Sequence, residues 1–271
     1  MHLEFIKNYL GEHYEANKSF KRNLVKEYLQ ILALSFIFSK EKYQDLIFYG
    51  GSCLRHCFDL ERLSENLDFV DLKKEIDFES LKIDLKNFFE KELNLKIEAK
   101  IQKFRVLLKF PILKNLELVE KGESDLLFLK VEVFKDFNFC KNYKTEIIPL
   151  FKFNKSILIR TFDLPTLMAT KLGAILYRKW EKTDKKGKVL VKTKGRDYYD
   201  LMWYLQKEIK PNLKCVKEIK TETELKTKLL KIITKLDGKS VKLDLESLIQ
   251  DKEFVKNLSK NLKEILIKSL N

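Results

Sequence analysis

Glycine and proline are scarce in this 271-residue chain, at 8 and 4 copies, which leaves little room for long flexible linkers. Cysteine is scarce too. Four in a chain this long do not make a disulfide framework. Cys53 and Cys57 lie four apart around His56, but no second Cys/His pair stands at a spacing that would complete a zinc site, and Cys140 and Cys215 are isolated. The expectation is buried free thiols in a reducing cytoplasm. Long hydrophobic runs are missing as well: the longest, Ile31 to Phe38, is interrupted by Ser35 and is far too short to span a bilayer. The opening residues Met1-His2-Leu3-Glu4-Phe5-Ile6-Lys7 lack the basic-then-apolar profile of a secretory signal. A soluble, cytoplasmic protein without a membrane partner is expected.

What is present is a globular composition. Hydrophobic residues make up 45% and aromatics 12%, with 20 Phe, and the length allows two domains of ordinary size. There are 54 Lys and Arg against 40 Asp and Glu, a formal net charge of +14. Such an excess fits an acidic partner, whether nucleic acid, nucleotide or acidic protein; a lysine-rich solubilising surface would give the same number.

Periodicity divides the chain in two, with no internal repeat. Residues 20–39 carry apolar side chains at helical spacing, among them Leu24, Tyr28, Ile31, Leu32 and Phe36. Asp45 to Tyr49 is a short apolar strand stopped by Gly50 and Gly51, and Ser52 is placed to cap a helix running to about Asp59. Leu67 to Leu72 reads as a strand, Ile76 to Leu93 as a helix, and Leu95 to Ile101, Phe104 to Phe110, Leu126 to Phe134 and Ser156 to Arg160 as strands. From Asp163-Leu164-Pro165 onward nearly everything reads as helix, with Asp163 as cap and Pro165 in the first turn. The expected fold is α+β: a mixed β-sheet domain with flanking helices over residues 1–160, then an α-helical bundle domain over 161–271.

The residues with chemical promise cluster around the glycine pair. Gly50-Gly51-Ser52 after a strand lets the backbone approach a phosphate, with helix N–H groups as donors; the same turn also arises for steric reasons alone. Asp68 sits inside the apolar run Leu67-Asp68-Phe69-Val70, where a charge is costly unless paired or holding a metal. On a strand, residues 66 and 68 share a face, so Asn66 would offer an oxygen beside Asp68 without a second charge. Glu132, between Val131 and Val133, is either a solvent-facing strand residue or a further metal or base carboxylate. Lys171 and Arg178 lie two turns apart on one helix face and could grip a triphosphate or an RNA backbone, or form an ordinary solvated face. Asp197 and Asp200, three apart in Arg196-Asp197-Tyr198-Tyr199-Asp200, could face a cleft or decorate a helix start. Between Arg178 and Arg196 lie nine basic and two acidic residues, a net +7 and half of the chain's excess. Lys182, Lys185, Lys186, Lys188, Lys192, Lys194 and Arg196 in that stretch are the candidate nucleic-acid contacts, with a basic loop lacking any ligand as the alternative.

Taken in order, Lys26-Glu27-Tyr28-Leu29-Gln30, Phe48-Tyr49-Gly50-Gly51-Ser52-Cys53-Leu54-Arg55, Leu60 to Phe69, Lys171-Leu172-Gly173-Ala174 through Arg178, and Lys194 to Leu201 make the sequence resemble the AbiEii/AbiGii family of nucleotidyltransferase toxins, from bacterial toxin–antitoxin systems linked to phage defence. The resemblance spans residues 20 to about 205. It implies a nucleotidyltransferase fold followed by a helical domain, Mg²⁺ or Mn²⁺, a nucleoside triphosphate donor, an RNA acceptor such as tRNA, and a repressor-type cognate antitoxin as partner. It also implies phosphate contact for Ser52 beside Gly50 and Gly51. By position it gives metal binding to Asp68, donor binding to Lys171 and assistance to Asp197 or Asp200; Asn66 and Glu132 as further metal residues and Arg178 as a second donor contact are readings of the residues themselves. The departure is Asn66, where the family pattern usually has Asp. Either Glu65, Glu132 or Asp71 compensates, or catalysis is weak, or the chain is a degenerate scaffold that binds nucleotide or RNA without turnover.

Overall fold

The computed structural model describes residues 2–138, 140–178, 181–183, 187, 189–191 and 193–270; of Lys182 and Leu190 only the backbone is described. Contacts divide the chain into two compact units, Met1–Phe137 with Thr145–Thr161, and Asn138–Lys144 with Phe162–Asn271.

The first unit is a mixed sheet with helices. Its elements are α1 (His2–Gly11), α2 (Lys18–Phe38), β1 (Ile47–Tyr49), α3 (Gly50–Cys57), β2 (Leu67–Val70), α4 (Phe78–Leu93), β3 (Glu98–Gln102), β4 (Arg105–Pro111), β5 (Leu126–Phe134), β6 (Thr145–Lys152) and β7 (Lys155–Phe162). The seven strands run in the order β3-β4-β5-β2-β1-β7-β6. β2 pairs antiparallel with β1 and parallel with β5, and β1 pairs parallel with β7. Central strands therefore come from distant parts of the chain. Asn17 caps α2 by accepting from the Phe20 amide, and Asp77 caps α4 through Ser80. α2 is buried along most of its length, with Leu29, Ile31, Leu32, Ala33, Leu34 and Ile37 at full burial. A helix so enclosed forms the core rather than a surface layer.

The second unit is helical: α5 (Leu164–Tyr177), α6 (Gly195–Gln206), α7 (Glu222–Ile233), α8 (Gly238–Leu245) and α9 (Lys252–Leu270), with a two-stranded ribbon of β8 (Lys182–Thr183) and β9 (Val189–Val191). Asp163 caps α5 through the Thr166 amide and Pro165 lies in its first turn, as the sequence predicts. α6 packs on α5, α8 and α9. Its first residue has to be glycine, because a Cβ on Gly195 would lie 2.6 Å from the Val241 Cα. One expectation is corrected here. Cys140 and Cys215 are not isolated thiols but a disulfide, closed across 75 residues of sequence inside this unit. Cys53 and Cys57 are free, and burial pushes the Cys53 thiol up.

Candidate functional site

In the first unit the site is built on the passage from β1 into α3. The helix begins at Gly50 itself, whose φ of 81° only glycine adopts without strain. Tyr49 stands at the cap position with extended backbone, and its side chain makes no capping hydrogen bond. Ser52 is therefore not the cap. It lies in the first turn, fully buried, and among the described residues its hydroxyl has no hydrogen-bond partner. The two glycines admit two charged groups. A Cβ on Gly50 would lie 2.7 Å from the Asp68 Oδ2, and one on Gly51 would lie 2.6 Å from the Arg62 Nη2. Arg62 is the largest fully buried side chain and donates to the Leu63 carbonyl at 2.8 Å.

Strand register brings Asp68 and Glu132 together. Asp68 pairs with Tyr49 on one side and, in the parallel ladder, with Glu132 on the other. Lateral neighbours in a parallel pair project to the same face, with strands about 4.8 Å apart. Glu132 does not stand alone: Arg105, opposite it on β4, donates to its Oε1 at 3.1 Å. Asn66 lies immediately before β2, next to its first residue Leu67. The other candidates for compensating it are engaged elsewhere. The Asp71 carboxylate accepts from the Ile76 amide at 2.8 Å, and Glu65 lies 3.7 Å from the Lys26 ammonium. Among the described residues no three His, Cys, Asp or Glu side chains form a group that could hold a metal.

Behind α3 lies a polar network with no counterpart in the expectations above. Glu27 of α2, with a side chain 1% exposed, takes an ion pair from Arg55 of α3 at 2.7 Å and one from Lys152 of β6 at 2.9 Å. Arg55 also donates to the carbonyls of Leu60 and Glu61, and Tyr9 donates to Glu27. Beside it, His56 meets the Gln30 Oε1 at 3.0 Å while the Gln30 amide donates to the Ser64 carbonyl. Burial lowers the His56 pKa to about 3, so it is neutral at pH 7. Both chains of bonds tie α2, α3 and the segment leading to Asp68, so they set the position of the glycine turn. Burial alone would raise the Glu27 pKa; Lys152 and Arg55 outweigh it and hold the carboxyl at about 2, from an ordinary 4.5. A depressed carboxylate contributes stability that is full above about pH 4.5 and is lost as pH falls toward 2. Glu27→Gln is expected to cost about 3 kcal/mol at pH 7, by the free energy equivalent of that shift, and to flatten the acid limb of the stability curve. Urea melts from pH 7 to pH 2.5 check it; equal midpoints for variant and parent at pH 7 would refute it.

In the second unit α5 and α6 bring Lys171, Asp197 and Asp200 together. The Lys171 ammonium lies 2.7 Å from both the Asp197 Oδ1 and the Asp200 Oδ2, and Arg178 lies 3.5 Å from the Asp197 Oδ2. Both carboxylates are buried, so they are neither cap nor surface decoration. Burial opposes ionisation of Asp197, but Lys171 and Lys194 outweigh it and hold its carboxyl well below the usual range. Lys194 is pushed the other way, down to about 8, by burial and by the Arg196 charge. Arg196 is turned to Asp244, which it meets at 3.5 Å through its side chain and 2.9 Å through its amide. Lys185, Lys186, Lys188 and Lys192 lie outside the described residues, and Lys182 is described only as backbone in β8.

A mixed sheet that delivers a Gly-Gly-Ser turn beside strand carboxylates, followed by a helical domain, is an α+β architecture of the nucleotidyltransferase type. The family model "Nucleotidyl transferase AbiEii toxin, Type IV TA system" matches residues 34–269, and the chain belongs to that family. Among solved structures, JHP933 from Helicobacter pylori is similar at 17% identity and a TM-score of 0.47, covering 92% of this chain and 93% of that one. A second solved structure, of a candidate nucleotidyltransferase from H. pylori, is similar at 17% identity and a TM-score of 0.47, covering 91% of this chain and 95% of that one. No curated protein sequence matches. Among the described residues no helix is long and apolar enough to cross a membrane.

Proposed function

We propose that the chain is a divalent-metal-dependent nucleotidyltransferase that moves a nucleotide from a nucleoside triphosphate to an RNA hydroxyl, tRNA being the leading acceptor, as the toxin of a toxin–antitoxin pair. The observation that carries this reading is the in-register pair of Asp68 and Glu132 beside the Gly50-Gly51-Ser52 turn. Oxygen donors of this kind suit a hard cation such as Mg²⁺, with Asp68 as principal ligand and Glu132 and Asn66 as neighbours. When bound, the cation would neutralise charge developing on the pyrophosphate. The buried, unpartnered Ser52 hydroxyl, with the glycine amides, would donate to phosphate oxygens. The acceptor hydroxyl would attack the α-phosphorus, a P–O bond forming as the bond to pyrophosphate breaks, and the hydroxyl proton would pass to a carboxylate, for which Glu132 is the proposed acceptor. Lys171 and Arg178 supply cationic groups for the donor phosphates, and the net +7 between Arg178 and Arg196 supports an RNA path.

A second reading, a scaffold that binds without turnover, is favoured by the Arg105–Glu132 ion pair and by Asn66, since each lowers the negative charge available to a metal. The experiment that separates them is incubation with each labelled triphosphate, Mg²⁺ and total tRNA. Label in the RNA from one donor is the expected result. Nucleotide binding with no incorporation from any donor would establish the scaffold instead. Family membership implies a cognate antitoxin; a repressor-type partner encoded alongside is the form proposed.

A further inference from the structure

On the sheet face that carries Asp68 and Glu132 stands a group of aromatic rings with no part in the chemistry above. Phe134 lies two residues beyond Glu132 on β5 and opposite Val70 on β2, so it projects to the same face as the two carboxylates. Tyr49, opposite Asp68 on β1, meets the Phe134 ring edge-on, with centroids 6.0 Å apart. Phe104 meets the same ring at 4.6 Å, with the two planes tilted by 36°. Its place in the chain is unusual. Lys103 and Phe104 make the two-residue connection between β3 and β4, where glycine, asparagine and aspartate are the residues a turn favours. The turn has no need of a phenylalanine, yet one stands there and stays 38% exposed. The Arg105 guanidinium, which donates to Glu132 at 3.1 Å, also lies 5.9 Å from the Phe104 centroid, so ring and carboxylate are held together.

Position decides what these rings can hold. The glycine turn follows Tyr49 and so lies past Asp68 toward the start of β2. Phe134 lies opposite Val70, about 7 Å along β2 in the other direction. Phosphoryl transfer proceeds in line, with the attacking and leaving oxygens on opposite sides of phosphorus. With pyrophosphate held at the turn, the attacking hydroxyl has to come from the side of Phe134 and Phe104. An exposed ring beside a cation suits the flat face of an unpaired nucleobase, and the exposed Lys103 next to it suits a strand phosphate. We infer that Phe104 and Phe134 form a stacking shelf for the unpaired base at the 3′ end of an RNA acceptor, the end whose sugar carries free hydroxyls, and that the shelf brings a hydroxyl to the Asp68–Glu132 pair. This placement rests on the transferase reading proposed above, whereas stacking itself needs no turnover.

The test is equilibrium binding of the full chain, without triphosphate, to a short single-stranded RNA ending in 2-aminopurine, a base whose fluorescence is quenched when it stacks. Quenching on binding is expected for the parent. Phe104→Leu keeps an apolar side chain but no ring, and it should weaken binding by roughly 5- to 100-fold, the value of one base–aromatic stack, and remove the quench. Phe104→Tyr should retain both. An RNA whose 3′ residue lacks a base should bind parent and Phe104→Leu equally. Phe104 stands in a turn and is 38% exposed, so the leucine variant should fold; circular dichroism checks this. Parent-like affinity and quenching in folded Phe104→Leu would overturn the shelf. A loss confined to triphosphate affinity would overturn it too, by putting the donor's base on the rings. Label transfer to tRNA is scored separately: Phe104-dependent stacking without transfer keeps the shelf and removes the enzyme, and transfer with Phe104-independent RNA affinity does the reverse.

Discussion

Asp68→Asn abolishes nucleotidyl transfer, with an expected loss of at least about 10³ in single-turnover rate, while leaving a folded chain. The size follows from what a carboxylate supplies to a bound cation. Several kcal/mol of charge stabilisation in the transition state depend on the metal, and each 1.36 kcal/mol is a factor of ten. Asparagine keeps the volume against Gly50, where the Asp68 oxygen already lies within 2.7 Å of a Cβ position, so packing of the turn survives. A folded Asp68→Asn variant that transfers label at the parent's rate would remove Asp68 from the chemistry. Asn66→Asp, made in the parent, works in the opposite direction. Restoring a second carboxylate beside β2 should tighten Mn²⁺ binding several-fold, and it raises the rate if metal affinity limits turnover.

The part of this site that was legible in the sequence is the part encoded locally. A glycine pair stops β1 because no side chain is there to continue the sheet, and Asp68 stands out because acids are rare in a short apolar run. Glu132 was visible for the same reason, but its adjacency to Asp68 was not. That adjacency comes from the parallel pairing of β2 with β5, set by the whole topology. Ser52 is not the cap for a local reason: the helix starts three residues earlier than a serine cap would allow, because Gly50 at positive φ makes the turn by itself. β6 escaped because Pro149 interrupts it and its side chains are mostly exposed, leaving no clean alternation. α1 escaped because it buries only Ile6 and Leu10. Glu27 and Arg62 stand in segments that carry the family resemblance but have no role assigned from the sequence, and only their burial marks them as supports of the glycine turn. The Cys140–Cys215 pairing needs two segments brought together across 75 residues, which no spacing rule predicts.

Lys171→Met is expected to destabilise the helical unit by about 3–5 kcal/mol, the usual consequence of removing one partner from a buried ion pair. The ammonium lies 2.7 Å from two carboxylates whose side chains are 6% and 0% exposed, so its loss leaves two like charges facing each other without water. The pH dependence then changes sign. In the parent, Asp197 has a depressed pKa, and its contribution is present above its ordinary value of 3.8 and lost as pH falls below it. In the variant Asp197 keeps Arg178 at 3.5 Å but loses its nearest cation, so its folded pKa rises and stability increases on acidification toward pH 5. Thermal melts at pH 5, 6 and 7 read this directly, and parent-like stability at pH 7 would refute it. The same change would also abolish activity merely by unfolding, so a second variant is needed. Lys171→Met combined with Asp197→Asn and Asp200→Asn removes all three charges and restores most of the lost stability, because no uncompensated ion is left buried. If Lys171 holds the donor phosphates, this refolded triple variant stays inactive and binds triphosphate weakly. If Lys171 only neutralises the two aspartates, the triple variant recovers triphosphate affinity, and the donor-binding role passes to Arg178.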